Sequence, residues 1–160
     1  MAEAIQFSGT ITPDVFWKAQ KLHSRRRLAV FGVISVALIL LGVLTWGRED
    51  SNANTFIFIA CGVTIPVAML LRRMRAKWVY KKSPYLKKSY RGTISPEAYS
   101  IETDGGSARV PWTQFIKATS SDDVLLLYRG PHIFNIICRE SFNSTEDWLK
   151  ARSMALELIE

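Results

Sequence analysis

Two long apolar runs occupy the middle of the chain. Residues 28–46 read LAVFGVISVALILLGVLTW and residues 55–71 read TFIFIACGVTIPVAMLL, and neither contains Asp, Glu, Lys or Arg. About 20 helical residues, each rising about 1.5 Å, cross a hydrocarbon core roughly 30 Å thick. The runs hold nineteen and seventeen residues. They predict transmembrane helices at 28–46 and 55–71.

A cleaved signal peptide is the alternative interpretation of the first run. Such a peptide has a short basic leader and about 7 to 15 apolar residues before a small-residue cleavage site. Here 27 residues precede the run, and they include Glu3 and Asp14. We therefore expect the first run to be retained as a span.

The distribution of charge predicts the orientation of the two spans. Residues 1–27 carry five basic and two acidic side chains, and residues 72–91 carry nine basic and no acidic ones. The segment 47–54 between the spans has one basic and two acidic residues. Because cytoplasmic flanks of transmembrane helices are enriched in Lys and Arg, both termini are expected in the cytoplasm and the 47–54 loop outside.

The basic segment after the second span is the candidate binding site. Basic residues here are interleaved with Trp78, Tyr80, Tyr85 and Tyr90. Three interpretations remain open: an anchor that only fixes topology, a site for anionic lipid headgroups, and a nucleic-acid site. Its position directly after a span favours the two membrane interpretations, since a juxtamembrane cation contributes about 1 kcal/mol toward anionic lipid. The candidate headgroup-binding residues, here called the basic collar, are Arg72, Arg73, Arg75, Lys77, Lys81, Lys82, Lys87 and Lys88.

Small residues within the runs predict how the two helices pack. Gly32, Ser35 and Gly42 fall on one face of the first helix, and Ala60 and Thr64 are four residues apart in the second. Small residues allow close helix approach in lipid. We expect both groups to face helix partners, within the hairpin or in a homo-oligomer.

Pro66 is predicted to kink the second helix and to free a carbonyl near Gly62, because proline cannot donate to the residue four positions earlier. The kink is either a tolerated irregularity or a hinge. Apart from the Cys61 thiol, the runs contain no ionisable side chain. This composition argues against a proton relay or an ion pathway.

Residues 90–160 have the pattern of a small α+β domain. Short β-type segments such as SYRGTI, AYSIE and VLLLY alternate with turn residues and predict five or six antiparallel strands. Ser144 followed by Asp147 resembles a capping box, and the apolar spacing after it predicts a C-terminal helix. A curled sheet or partial barrel closed by that helix would bury its apolar side. The predicted order is an N-terminal cytoplasmic strand and helix (1–27), span one (28–46), external loop (47–54), span two (55–71), basic connector (72–89) and domain (90–160).

A phrase near the N-terminus is repeated at the start of this domain. FSGTITPD at residues 7–14 resembles YRGTISPE at residues 90–97. Either the two segments pair within one sheet, which would tie the apolar hairpin to the domain at both ends, or two strand-then-proline starts are alike by coincidence.

No catalytic or metal-binding pattern stands out. His23 and His132 lack acidic or Cys partners at ligand spacing, and the TDGGSA segment suits a hairpin turn better than a phosphate loop. Cys61 and Cys138 are expected to stay reduced. We therefore expect no enzyme activity, cofactor or metal; a cryptic lipid-acting enzyme would need a buried cluster of titratable residues bonded to one another.

Several segments together resemble the YcxB-like family of small bacterial membrane proteins: TISPEAYSI, VPWTQFIKA, LLLYRG and RESFNSTEDWLK. Members tend to carry a proline where Cys138 stands here. The resemblance implies a pleckstrin-homology-like domain, a place in the bacterial cytoplasmic (plasma) membrane, and no established enzymatic activity.

These observations predict a non-enzymatic, multi-pass inner-membrane protein with a cytoplasmic interaction or regulatory module. The expected partners are the membrane, anionic phospholipid at the basic collar, and a protein partner at the sheet edges or a second copy of the chain; nucleic acid is not expected. The alternative is an accessory subunit of a membrane complex.

Overall fold

The computed structural model describes residues 4–46 and 52–159. The chain forms two compact units: Met1–His23 together with Val79–Glu160, here called the β unit, and Ser24–Trp78, here called the helical unit. The β unit is built from two segments that are far apart in sequence, so its N-terminal part and its C-terminal part fold together.

Two long helices contain the apolar runs. Helix α1 spans Pro13–Thr45 and helix α2 spans Asn52–Lys82. Thr12 caps α1, its hydroxyl accepting the Val15 amide at 3.3 Å, as its place before Pro13 predicts. Both helices are long and apolar enough to cross a membrane, and only 11% and 12% of their most apolar windows is buried in the protein. Residues 47–51 of the predicted loop lie outside the described residues, whereas 52–54 begin α2.

The helical unit is held by close contacts at small residues. The Ser35 hydroxyl donates to the Gly62 carbonyl at 2.6 Å, the carbonyl that Pro66 was predicted to free. A Cβ on Gly62 would lie 2.6 Å from Ile39 Cγ1, and one on Gly42 would lie 2.7 Å from Ile59 Cγ1. At these two glycines the helices therefore approach too closely for a larger residue.

Three of the small residues do not pack within the hairpin. A Cβ on Gly32 would meet no atom within 4 Å, and Ala60 and Thr64 are exposed. At about 100° per residue, positions two before and two after Gly62 lie about 160° around the helix from it. Since Gly62 faces α1, Ala60 and Thr64 face away.

The β unit contains seven strands in two antiparallel sheets. The first sheet has the order β1 (Ile5–Thr10), β2 (Ser89–Ile94), β3 (Ala98–Thr103) and β4 (Gly106–Pro111). The second has the order β5 (Lys117–Ser120), β6 (Val124–Tyr128) and β7 (Phe134–Cys138). The C-terminal region thus supplies six strands, the upper of the two predicted numbers. These strands are divided between two sheets, and the first sheet takes its edge strand, β1, from the N-terminus.

The repeated phrases are paired, which confirms the first interpretation of the repeat. Strands β1 and β2 are antiparallel, and Ser8 lies opposite Arg91, the residue at the equivalent position of the second phrase. Consequently Phe7 lies opposite Gly92, and Tyr90 lies opposite Gly9. The chain leaves the sheet after β1, forms both long helices and returns as β2.

The core lies between the sheets and helix α3 (Thr145–Leu158). Ser144 caps α3 by accepting the Asp147 amide at 3.0 Å, as predicted. Trp148 is 1% exposed and its ring lies 5.5 Å from that of Phe142. One face of α3 is therefore buried in the core, and this helix completes the α+β unit.

Strand β6 is buried on both faces because the start of α1 covers its second side. All five of its residues are buried, and Ala19 on α1 is fully buried. Lys18 Nζ lies 2.8 Å from Asp123 Oδ2, at one end of the strand. His23 Nδ1 lies 3.1 Å from the Tyr128 hydroxyl, at the other end. Helix α1 thus runs along β6 from its acidic end to its aromatic end.

Candidate membrane interface

The first four residues of the basic collar lie on α2 within the helical unit. Arg72, Arg73, Arg75 and Lys77 are all exposed. At about 100° per residue they fall on several sides of the helix and form no single stripe. In the described part of the chain none of them has an ion pair or a hydrogen bond to another side chain. They are therefore placed to meet ligands around the helix circumference.

The other four collar residues lie in the β unit. Lys81 and Lys82 are in the last turn of α2, and Lys87 ends a short 3-10 helix at Pro84–Lys87. Lys87 Nζ donates to the Lys81 carbonyl at 3.1 Å, so it caps the end of α2, where a cation is stabilised by the helix dipole. Lys88 is half-buried. This group thus combines exposed charge with a structural contact at Lys87.

The sequence around the collar contains basic residues and no acidic ones. No Asp or Glu occurs from residue 51 to residue 96. The acidic partners of the four ion pairs shown by the described residues, Asp123, Glu97, Glu146 and Asp122, all lie outside this stretch of sequence. The collar is chemically suited to polyvalent anionic surfaces, and it presents no group able to act as a general base at neutral pH.

The aromatic residues of this segment lie in different settings. Trp78 is 57% exposed, whereas the Tyr80 hydroxyl donates to the Ile11 carbonyl at 2.8 Å. Tyr90 is 5% exposed and belongs to the core. The side chain of Tyr85 lies outside the described residues. Tyr80 and Tyr90 therefore pack within the β unit, Tyr80 from the last turns of α2 and Tyr90 from β2.

A buried polar cluster joins two strands of the β unit, β2 and β7, and the 3-10 helix Arg139–Ser141 that follows β7. The Tyr90 hydroxyl lies 2.7 Å from Ser141 Oγ, which lies 2.8 Å from Cys138 Sγ. Burial and the hydrogen bond with Cys138 raise the pKa of Tyr90, so its phenol stays protonated at neutral pH. Neither His, Asp nor Glu is hydrogen-bonded to these three side chains among the described residues. The cluster resembles a structural network more than a catalytic one.

The outer face of the first sheet carries a polar trough that sequence reasoning missed. Its cavity volume is about 500 Å³, and Arg91, Glu102 and Arg109 lie among small polar residues on alternate positions of the four strands. Arg109 forms an exposed 2.8 Å ion pair with Glu97. The period-2 alternation of polar residues in these strands could have predicted which side chains face outward. Only the strand register, however, brings those side chains together. Because the trough carries both basic and acidic side chains, its charge does not indicate a class of ligand.

The comparisons with known proteins concern the C-terminal region. Residues 94–155 match the family model described as YcxB-like protein. This segment begins at the end of β2, so it excludes β1 and both long helices and includes most of α3. Neither curated proteins nor solved structures give a significant match. The family that the sequence motifs predicted is thus the family whose model matches residues 94–155.

Proposed function

We propose that the chain is a non-enzymatic, multi-pass protein of the bacterial cytoplasmic membrane, with both termini in the cytoplasm. Its β unit serves as an interaction or regulatory module at the inner leaflet, and the basic collar binds anionic phospholipid headgroups. We further propose that the β unit is pleckstrin-homology-like. Its four-stranded and three-stranded antiparallel sheets with a C-terminal helix support that assignment.

One observation carries the proposal. Two helices are long enough to span a membrane. The end of the second helix and the segment after it, residues 72–91, carry nine basic and no acidic residues. The collar residues on α2 are exposed and encircle the helix, an arrangement that suits a helix crossing a leaflet surface, where headgroups surround it on all sides. A helix lying flat on a surface would instead carry its cations on one side.

The collar acts through summed charge and through side-chain reach. Arg and Lys extend their charged ends toward the headgroups while their aliphatic stems cover apolar surface. At about 1 kcal/mol for each juxtamembrane cation, eight such residues would both fix the topology and enrich anionic lipid around α2. Strands β1 and β2, which precede and follow the two long helices in sequence, pair with each other. The chain segments that join the long helices to the β unit would then allow lipid bound at the collar to affect the β unit.

The test is lipid retention by the full chain. The variant carries Arg72→Gln, Arg73→Gln, Arg75→Gln and Lys77→Gln, which leaves the Lys87 cap intact. The protein is purified in mild detergent from membranes with mixed phospholipids, and the bound lipid is measured by mass spectrometry. The control removes four cations elsewhere, with Arg91→Gln, Arg109→Gln, Arg139→Gln and Lys150→Gln. The proposal expects anionic lipid to be lost only from the collar variant; equal retention by both variants would overturn lipid binding at the collar.

A second candidate is a structural subunit of a homo-oligomer or of a larger membrane complex. The exposed positions Ala60 and Thr64 favour it, because a small-residue pair that the hairpin does not use is free to contact another helix. If so, Ala60→Leu should lower the mass of the protein particle extracted in detergent, because the larger side chain prevents close helix contact. Gly42→Leu is unsuitable for this test, since Gly42 packs on Ile59 within the hairpin.

A further inference from the structure

One end of the second sheet exposes apolar side chains. Ile116 is 64% exposed and Ile133 is 67% exposed, the highest values for large hydrophobic residues of the β unit in the described part of the chain. The Ile116 amide donates to the Tyr128 carbonyl at 2.8 Å, and the Arg129 amide donates to the Ile133 carbonyl at 2.9 Å. Extending the strand register by one residue therefore places Ile116, Arg129 and Ile133 in one row across the sheet end.

The charge around this row has a single sign. Lys117, Arg129 and His132 lie in the segments 115–119 and 128–134, which contain no Asp or Glu. The opposite end of the same sheet is acidic: Asp122 and Asp123 form the β5–β6 turn, and the Asp123 carbonyl accepts the Arg139 amide at 2.9 Å. The sheet thus has one aliphatic, cationic end and one end whose two aspartates pair with Lys18 and Arg152.

The direction of α1 shows which end leads toward the first apolar run. Along α1, Lys18 pairs with Asp123 at the acidic end, and His23 contacts Tyr128 and Phe134 at the aliphatic end. The apolar run begins at residue 28, five positions after His23. Even a fully extended chain of that length spans no more than about 18 Å. Along the chain, the aliphatic end is therefore the end of the sheet that α1 contacts last before the apolar run begins.

We infer that Ile116 and Ile133, with Lys117 and Arg129 beside them, form a second membrane contact that inserts into the headgroup region of the inner leaflet. This inference rests on the proposed membrane location. Aliphatic side chains are buried in the interface while adjacent cations pair with anionic headgroups, so apolar and electrostatic contributions act together. The end with Asp122 and Asp123 then faces away from the leaflet.

The experiment measures the depth of a label at position 133. The full chain carries Cys61→Ala and Ile133→Cys, is labelled with the fluorophore NBD, and is reconstituted in vesicles that contain phosphatidylglycerol. Cys138 is 3% exposed, and the Cys61→Ala chain alone measures its background labelling. The matched control is Asp122→Cys, whose side chain is 98% exposed at the acidic end. We expect blue-shifted emission at 133 and at least about twofold stronger quenching by shallow spin-labelled lipid than at 122.

A further variant checks the cause of the quenching. Adding Ile116→Glu to the position-133 reporter should reduce quenching toward that of the 122 control, because a carboxylate beside anionic headgroups disfavours insertion. If the protein resists carbonate extraction but 133 is quenched no more than 122, the inference is overturned and the proposed membrane location stands. If carbonate extracts the protein, the proposed location fails, and the inference fails with it.

Discussion

The Ser35 hydroxyl and the Gly62 carbonyl form a 2.6 Å hydrogen bond between α1 and α2. Pro66 explains why this bond exists. It stands four residues after Gly62 and has no amide hydrogen, so the Gly62 carbonyl lacks its usual partner within the helix. An unpaired carbonyl in an apolar setting is costly. Ser35 supplies the missing donor, so the proline in one helix and the serine in the other act as a matched pair.

Removing the serine hydroxyl should destabilise the hairpin only while the proline is present. We expect Ser35→Ala to cost about 1 kcal/mol, near the upper range for interhelical hydrogen bonds in membranes. In the Pro66→Ala background the same change should cost almost nothing, because residue 66 then donates to Gly62. SDS-driven unfolding in mixed micelles measures both values. Gly32→Ala is the neutral control, and an equal loss in both backgrounds would refute the pairing.

The pairing of the repeated phrases predicts a strict requirement for glycine at position 92. A Cβ there would collide with the Phe7 ring and the Ser100 carbonyl. Gly92→Ala should therefore lower the free energy of unfolding of the β unit by about 2 kcal/mol. Gly105→Ala should change it by less than about 0.5 kcal/mol, since its Cβ would meet no atom closer than 3.8 Å. Urea denaturation of the full chain in detergent compares the two, and equal stabilities would contradict the register.

The two core tyrosines should respond oppositely to loss of the hydroxyl. Tyr99 is fully buried, and its hydroxyl has no hydrogen-bond partner among the described residues. Tyr99→Phe should therefore be neutral or stabilising, because it removes an unpaired buried polar group. Tyr90→Phe should cost about 1 to 2 kcal/mol, since it takes a partner from Ser141. Thermal unfolding followed by near-UV circular dichroism measures both, and a clear loss with Tyr99→Phe would be the contradictory result.

Alkaline pH should destabilise the β unit through these same residues. Burial raises the pKa of both Tyr90 and Tyr99 above the ordinary value for tyrosine. The folded state therefore keeps its protons when the unfolded state begins to lose them, so the stabilisation is complete below about pH 10 and falls as pH rises further. Each tyrosine contributes a slope of about 1.4 kcal/mol per pH unit in that range. Tyr99→Phe should reduce the slope measured by urea denaturation above pH 10; an unchanged slope would count against the buried phenol.

The sequence predicted most local elements, because each leaves a local pattern. The apolar runs predicted both long helices, Thr12 and Ser144 predicted two helix starts, and period-2 alternation with turn residues predicted strands β2 to β7. The repeat also suggested that β1 joins the C-terminal sheet, whereas the register, with Phe7 opposite Gly92 and Tyr90 opposite Gly9, comes from the structure. These features depend on residues close in sequence or on two matching phrases.

Features that depend on register or on helix rotation were harder to predict. Ala60 and Thr64 were expected in a packing face, but the contact at Gly62 turns them outward. The cluster of Tyr90, Ser141 and Cys138 arises only when β2 and β7 approach each other, and the row of Ile116 and Ile133 arises only from the strand register. No short pattern in the sequence encodes either arrangement.

The membrane topology of the helical hairpin is the central claim, and cysteine labelling tests it most directly. In the Cys61→Ala background, Ser51→Cys and Asp104→Cys are compared with a membrane-impermeant maleimide, applied to spheroplasts that express the full chain. Asp104 lies in the exposed turn between β3 and β4. The account predicts labelling at 51 in intact spheroplasts and labelling at 104 only after permeabilisation. Labelling at 104 in intact spheroplasts, or at 51 only after lysis, would contradict it.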